Sequence, residues 1–233
     1  MRVNFAFPGM KLSPVVCGAL LLSASFGSFA AGGSSSISGQ VAGADGKGIP
    51  DAVVFVQTAE NSPSAPAGVA IQATMDQIEK TFVPGLLPIV VGTRVRFPNH
   101  DQIHHHVYSF SRTKTFELPL YKGEDAPPVL FDKVGVVKVG CNIHDWMSGI
   151  ILVLPTPYFA KTDADGKFAL EDLPPGHYNI VAWHELSKAK PEDTVQSVNV
   201  FAGAEARAAE ANFTLSLSAA RARPAIRGSR REP

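Results

Sequence analysis

Cysteine is scarce in this chain of 233 residues, which contains only Cys17 and Cys141. Net charge is absent as well, because 21 Lys and Arg residues balance 21 Asp and Glu residues. Beyond the first thirty residues, no apolar run approaches the roughly 20 residues that a membrane-spanning helix needs. The sequence therefore excludes a disulfide framework and a membrane-embedded body.

The first thirty residues have the pattern of a signal peptide. Arg2 and Lys11 are the only charged residues before residue 40, an apolar run at 15–22 follows them, and residues 28–30 (Ser-Phe-Ala) have the small-x-small pattern of a cleavage site. We therefore expect export, cleavage after residue 30, a periplasmic location and no stable membrane insertion after cleavage. Retention of the segment as an N-terminal anchor is the alternative.

The remaining charge is divided between an acidic body and a basic tail. Once Arg2, Lys11, the five arginines of residues 218–233 and Glu232 are set aside, 14 basic residues face 20 acidic residues. The tail contains Pro, Gly and Ser and no aromatic residue that could stack on a base. We therefore predict a basic disordered tail at 218–233 and no nucleic-acid partner.

Short runs rich in Val, Ile, Phe and Tyr recur along the chain, separated by turn signals such as Asp45-Gly46 and Asp165-Gly166. This pattern predicts an all-β fold of the sandwich type. Helix is predicted only at residues 75–82, as one or two turns, and the Ala- and Glu-rich stretch 204–209 is ambiguous.

Four residues in two segments form a ligand set typical of copper. Cys141, His144 and Met147 lie within seven residues, between apolar runs that we expect to be adjacent strands. His105 lies upstream, and we expect it to arrive from the other part of the sandwich. Copper selects thiolate, imidazole and thioether ligands, because soft sulfur suits Cu(I) and imidazole suits both oxidation states.

After cleavage, Cys141 would be the only thiol of an exported protein. A free thiolate in an oxidising compartment is a liability unless something occupies it, and a metal ion would do so. Zinc is a weaker candidate because Met is a poor zinc ligand. A catalytic Cys141 with a histidine base would leave Met147 without a role, and its thiol would oxidise readily. We therefore expect an electron-transfer or copper-binding protein and not an enzyme.

The two segments resemble the cupredoxin family over roughly residues 65–154. The Cys-x-x-His-x-x-Met loop has the spacing of amicyanin, and the upstream stretch, with Asn99 six residues before His105 and Val107 two after it, is similar to plastocyanin-like proteins. The resemblance implies a Greek-key β-sandwich. It also implies one type 1 (blue) copper ion with four ligands: His105, Cys141, His144 and Met147.

The match also has departures and open points. His106 stands where the family usually has an Asn that braces the ligand loop, and Ile143 stands where many relatives have Pro. A slip of one position in the register would replace His105 by His104 or His106. Together with His100, these two histidines are either solvated loop residues or a cluster that gathers copper.

The rest of the sequence resembles a carboxypeptidase regulatory-like, transthyretin-type β-sandwich. Residues 37–56 are similar to its opening hairpin, and its Thr-Asp-x-x-Gly-x-Phe and Leu-Pro-Pro-Gly-x-Tyr elements match residues 162–168 and 173–178. We infer that the copper domain is inserted between the second and third strands of this domain. The predicted domains are a signal peptide (1–30), the split regulatory-like domain (35–60 and 155–217), the cupredoxin-like copper domain (65–154) and the tail (218–233).

This arrangement is similar to exported proteins of the methylamine-utilisation-like type. The resemblance implies a one-electron carrier, with the regulatory-like domain as scaffold and an unidentified redox partner protein docking near His144. The alternative is a periplasmic copper-binding module for metal delivery or sensing, in which redox cycling is incidental. A carrier would keep its copper through many cycles, whereas a delivery protein would surrender it to an acceptor.

Overall fold

A computed structural model describes residues 36–58, 71–124, 126–201 and 208–218 of the chain. The predicted signal peptide, nearly all of the basic tail and most of the ambiguous stretch 204–209 lie outside these residues. Within the described part, the one helical element is a 3₁₀ turn at Pro191–Thr194. No helix there is long and apolar enough to cross a membrane.

The fold is all β, as predicted. The described residues form eighteen strands: β1 (Ile37–Gly43), β2 (Val53–Thr58), β3 (Gln72–Thr74), β4 (Asp76–Ile78), β5 (Thr81–Val83), β6 (Leu86–Val90), β7 (Thr93–Arg96), β8 (His105–Ser111), β9 (Lys114–Tyr121), β10 (Val129–Phe131), β11 (Gly135–Cys141), β12 (Ser148–Leu154), β13 (Phe159–Lys161), β14 (Lys167–Leu170), β15 (Gly176–Trp183), β16 (Gln196–Val200), β17 (Ala209–Glu210) and β18 (Phe213–Leu215).

The strands fall into two groups of sheets. Strands β3 to β12 form a five-stranded sheet in the order β6-β12-β11-β8-β9, a three-stranded sheet β10-β7-β3 and the hairpin β4-β5, which together we call the site sandwich. The other strands form the sheets β14-β1-β17, with β18 also on β1, and β13-β2-β15-β16, which we call the flanking sandwich. The site sandwich lies in the chain between β2 and β13. The predicted domain boundaries, and the likeness of the flanking sandwich to the regulatory-like fold, stay predictions.

Each sandwich has its own apolar core. Residues of both sheets of the flanking sandwich, including Ile37, Val54 and Phe213, pack into one cluster. In the site sandwich, Val95 and Phe131 of the three-stranded sheet pack against Val137 and Ile151 of the five-stranded sheet in a second cluster. The alternation of buried and exposed residues expected of half-buried strands is clear in β7 and β14.

Strand β12 departs from this alternation because both of its faces are buried. Ile151 and Val153 point into the core of the site sandwich. Leu152 and Leu154 belong to a third cluster with Val53 and other residues of β2 and β15. The continuous apolar run of β12 therefore joins the two sandwiches, and the described residues lie in one compact unit, Gly32–Pro233.

The predicted helical turns at 75–82 are wrong, since this segment is the hairpin β4-β5. Glu79 and Lys80, at the tip, have φ angles of 52° and 58°. Positive φ at both central residues is the conformation of a type I′ hairpin turn, whose twist matches that of paired strands. The carboxylate of Asp101 accepts hydrogen bonds from both backbone amides, at 2.6 and 2.8 Å, and so holds the turn.

Candidate metal centre

The pairing of β8 with β11 brings His105 and Cys141 together. Cys141 ends β11 and is the register partner of Val107 in β8. In β8 the side chains of His105, Val107 and Ser109 are buried, whereas those between them are less so. His105 therefore lies on the same inward face as Val107, next to Cys141. The expectation that His105 arrives from the other part of the sandwich is wrong, because it comes from a neighbouring strand of the same sheet.

The segment between β11 and β12 carries the other two predicted ligands. The backbone amide of Met147 donates to the carbonyl oxygen of His144 at 2.9 Å, and that of Cys141 donates to the carbonyl oxygen of Met147 at 3.2 Å. The amide of Asn142 donates to the carbonyl oxygen of His106 at 3.2 Å. These bonds close the loop on itself and tie it to β8, so the loop is braced at both ends.

Three donor atoms converge in this place. The Sγ atom of Cys141 lies 3.6 Å from Nδ1 of His105 and 3.8 Å from Nδ1 of His144. All three donor atoms lie within 4.8 Å of one another. The residues are 2%, 0% and 9% exposed in the same order.

The two sulfur–nitrogen separations, 3.6 and 3.8 Å, fit one shared ion. Bonds of about 2.3 Å to sulfur and 2.0 Å to nitrogen, as zinc makes, bring the two donors at most about 4.3 Å apart, and less when the bonds meet at an angle. One buried thiolate with two imidazoles is the donor set of trigonal blue-copper sites. The chemistry of the three donors and the spacing between the thiol and each imidazole therefore suit a single copper ion.

Met147 lies in the core beside this cluster, with its side chain 2% exposed. It belongs to the same buried cluster as Cys141. The loop hydrogen bonds hold its backbone next to both Cys141 and His144. Its role as a fourth, axial ligand stays a prediction.

The neighbouring histidines are separate from the cluster. Within the described residues, His105, Cys141 and His144 form the one group of three or more possible metal ligands. His104 is exposed, the ring of His106 lies 2.8 Å from a carboxylate oxygen of Glu117, and that of His100 lies 2.7 Å from a carboxylate oxygen of Asp76. Of the three possible registers, the geometry favours His105.

Burial changes the proton affinity of His144. It lowers the pKa of the imidazole below its ordinary value, and the nearby His105 lowers it further. The neutral imidazole, which is the form that binds a metal, is therefore favoured at neutral pH. The indole ring of Trp146 lies 5.3 Å from the imidazole ring of His144 and is half-exposed.

Asp101 contacts the candidate site directly, although no pattern in the sequence assigned it a role. Its Oδ2 atom lies 2.7 Å from Nε2 of His105. Burial raises the pKa of Asp101, but hydrogen bonds from His105 and from the amides of Lys80 and Glu79 outweigh this effect, and the pKa lies below its ordinary value. The one sequence feature that could have indicated this contact is the position of Asp101, four residues before the predicted ligand His105.

Asn99 organises the segment that carries Asp101. Its Nδ2 donates to the carbonyl oxygens of Ile103 and Tyr121 at 2.9 and 3.0 Å, and its Oδ1 accepts from the amide of Asp101 at 3.0 Å. The Asn99 side chain is buried, so these bonds satisfy its polar groups. The Asn that the resemblance singled out thus fixes the loop that leads to His105.

No protein-family model matches the sequence. No curated protein matches it either. Among solved structures, the chain is similar to a purple cupredoxin from Nitrosopumilus maritimus, with 27% identity, 36% of this chain and 98% of that chain covered, and a TM-score of 0.31. It is similar to a reduced variant of amicyanin, with 25% identity, 44% and 98% coverage and a TM-score of 0.33.

The copper-containing nitrite reductase NirK from Thermus scotoductus SA-01 is 25% identical, with a TM-score of 0.33. The match covers 40% of this chain and only a quarter (25%) of that one. Each of these three matches covers less than half of the chain.

Proposed function

We propose that this protein is an exported one-electron carrier with one type 1 copper ion bound by His105, Cys141 and His144, and with Met147 as the axial ligand. The observation that carries the proposal is the buried Cys141 thiol with an imidazole nitrogen on either side, at 3.6 and 3.8 Å. A copper ion in such a site supplies reversible one-electron chemistry.

The placement of the donors supports a carrier. His105 and Cys141 lie on paired strands, and His144 lies in a loop closed by backbone hydrogen bonds. Such donors move little between oxidation states, which keeps the reorganisation cost of electron transfer low. His144 is the most exposed of the three donor residues, and the half-exposed Trp146 lies beside it, so we place the docking surface for the redox partner there.

Burial also favours a carrier over a delivery module. A delivery protein must pass its metal to an acceptor, which needs donors that an incoming ligand can reach. Here Cys141 and His105 are 2% and 0% exposed. We therefore place metal delivery second to electron transfer.

Visible absorption and EPR spectroscopy of the purified protein with added Cu(II) test the site. We expect an intense thiolate-to-copper band that ascorbate bleaches reversibly, and its loss in Cys141→Ser. His104→Ala is the matched control, because it removes an exposed histidine outside the ligand cluster and should leave the band intact. A colourless protein, or a band that survives Cys141→Ser, would contradict the site.

Repeated redox cycling in the presence of a copper chelator separates the two functions. A carrier should keep its copper content constant through many cycles, whereas a delivery module should lose copper to the chelator. N-terminal sequencing of the protein from the periplasmic fraction tests export, and we expect the mature chain to begin at Ala31.

A further inference from the structure

The contact between Asp101 and His105 determines which imidazole nitrogen carries the proton. Oδ2 of Asp101 lies 2.7 Å from Nε2 of His105, and the His105 side chain is completely buried. An ionised carboxylate can only accept hydrogen bonds, so Nε2 must be the protonated nitrogen. In the neutral imidazole, Nδ1, which lies 3.6 Å from Sγ of Cys141, then carries the lone pair that can bind a metal ion.

Asp101 is held in place independently of His105. Its carboxylate accepts from the amides of Glu79 and Lys80, and its own amide donates to Oδ1 of Asn99. Only 13% of its side chain is exposed. The tip of the hairpin β4-β5 and the side chain of Asn99 therefore hold a negative charge next to Nε2 of His105.

We propose that Asp101 is a positioning residue: it selects the Nε2-protonated tautomer of His105, and its charge favours Cu(II) over Cu(I) in the site. This inference rests on the proposed copper function. A fixed negative charge attracts a dication more strongly than a monocation at the same distance, because the Coulomb energy scales with the charge. A carboxylate behind a histidine ligand also makes the imidazole more basic.

Asp101→Asn tests both parts with little change in volume. If the amide oxygen of the new Asn faces His105, its NH₂ group faces the backbone amide of Glu79, and two hydrogen-bond donors then point at each other. If the NH₂ group faces His105, Nε2 must accept a hydrogen bond, and Nδ1 then carries the proton. We expect the Cu(II) affinity to fall about 10- to 100-fold, the usual effect of removing such a partner. A tenfold larger loss for Cu(II) than for Cu(I) raises the midpoint potential by about 59 mV.

Asp76→Asn is the matched control. Asp76 is also a carboxylate paired with a histidine, because its Oδ1 lies 2.7 Å from Nδ1 of His100. It lies on the same hairpin as Glu79 and Lys80, but His100 is not part of the ligand cluster. We expect the potential of this variant to shift by less than a third as much as that of Asp101→Asn.

The tautomer is read directly from long-range ¹⁵N–¹H NMR spectra of the metal-free protein. We expect the Nε2-protonated form of His105 in the wild type and a mixture in Asp101→Asn. A wild-type His105 protonated on Nδ1 would overturn the proposal, even if the variant does not fold. Equal potential shifts in Asp101→Asn and Asp76→Asn would overturn the electrostatic part. If the wild type lacks the thiolate-to-copper band, the copper function fails, and the NMR measurement still tests the positioning role.

Discussion

Phe82→Ala should destabilise the metal-free protein strongly, because Phe82 anchors the hairpin β4-β5 to the site sandwich. The side chain is 1% exposed and shares its cluster with Met75 and Met147. A Cβ atom added to Gly149, near the start of β12, would lie 3.1 Å from Cβ of Phe82 and 3.4 Å from Sδ of Met75. The hairpin thus packs directly on the backbone of β12.

Removing a buried phenyl ring lowers the free energy of unfolding by about 3–5 kcal/mol, since the transfer free energy is lost and a cavity remains. For a domain of this size, each kcal/mol corresponds to a Tm change of about 2–4 °C, so the Tm should fall by about 6–20 °C. Thermal unfolding of the metal-free protein, followed by circular dichroism, measures this shift.

Phe110→Ala is the matched control, because it removes the same ring from the same sandwich at a position that is 79% exposed. Its ring packs at 4.9 Å only against Tyr108 among the ring pairs of the described residues, so the loss should stay below about 1.5 kcal/mol. Equal Tm shifts in the two variants would refute the close packing of the hairpin on β12.

Two further predictions concern other parts of the fold. The buried Thr162 hydroxyl accepts a hydrogen bond from the amide of Ala52 at 2.9 Å and donates one to the carbonyl oxygen of Ile49 at 2.7 Å. Thr162→Val leaves both partners unpaired and should lower the free energy of unfolding in urea by about 1–3 kcal/mol, whereas Thr162→Ser keeps the hydroxyl and should lower it much less. Equal losses in the two variants would contradict this. Lys114→Ala should raise the pKa of Asp132 in carboxyl NMR titrations and Lys133→Ala should not, because the hydrogen bond from Lys114 holds that pKa below its ordinary value. In the wild type this contribution to stability is present above the ordinary carboxyl pKa and is lost as the pH falls through the lowered one.

The strands that the sequence reveals best are those with continuous or alternating apolar residues. The expected adjacent strands around the ligand loop are β11 and β12, which pair along their length. Strand β9 is hard to predict from the sequence, because its polar residues and Pro119 give little strand signal. It lies at the edge of its sheet, where a proline without an amide hydrogen is tolerated.

The helix prediction at 75–82 failed for a tertiary reason. Met75, Ile78 and Phe82 have helical spacing, but the turn at Glu79 and Lys80 is held by Asp101, which is more than twenty residues away in the chain. Local spacing carries no information about such a partner.

The candidate site, too, was predictable where it depends on local spacing and not where it depends on long-range contacts. The grouping of Cys141 with His144 follows from one short loop and was readable from residue spacing. The sheet that carries His105 was misjudged, because strand order depends on long-range pairing. The contact of Asp101 with His105 could not be predicted from the sequence either, because the hairpin tip and Asn99 fix the orientation of the carboxylate.

The two buried faces of β12 determine whether the site sandwich can exist without the flanking sandwich. Leu152 and Leu154 are covered by Val53, Phe55 and Val181 of the flanking sandwich. A fragment cut back to the site sandwich would turn this face to water and gain an apolar stripe of the kind that drives proteins to associate. The flanking sandwich therefore serves as a permanent cover for the sheet that holds the thiolate, and the unit that can be transplanted or duplicated intact includes both sandwiches.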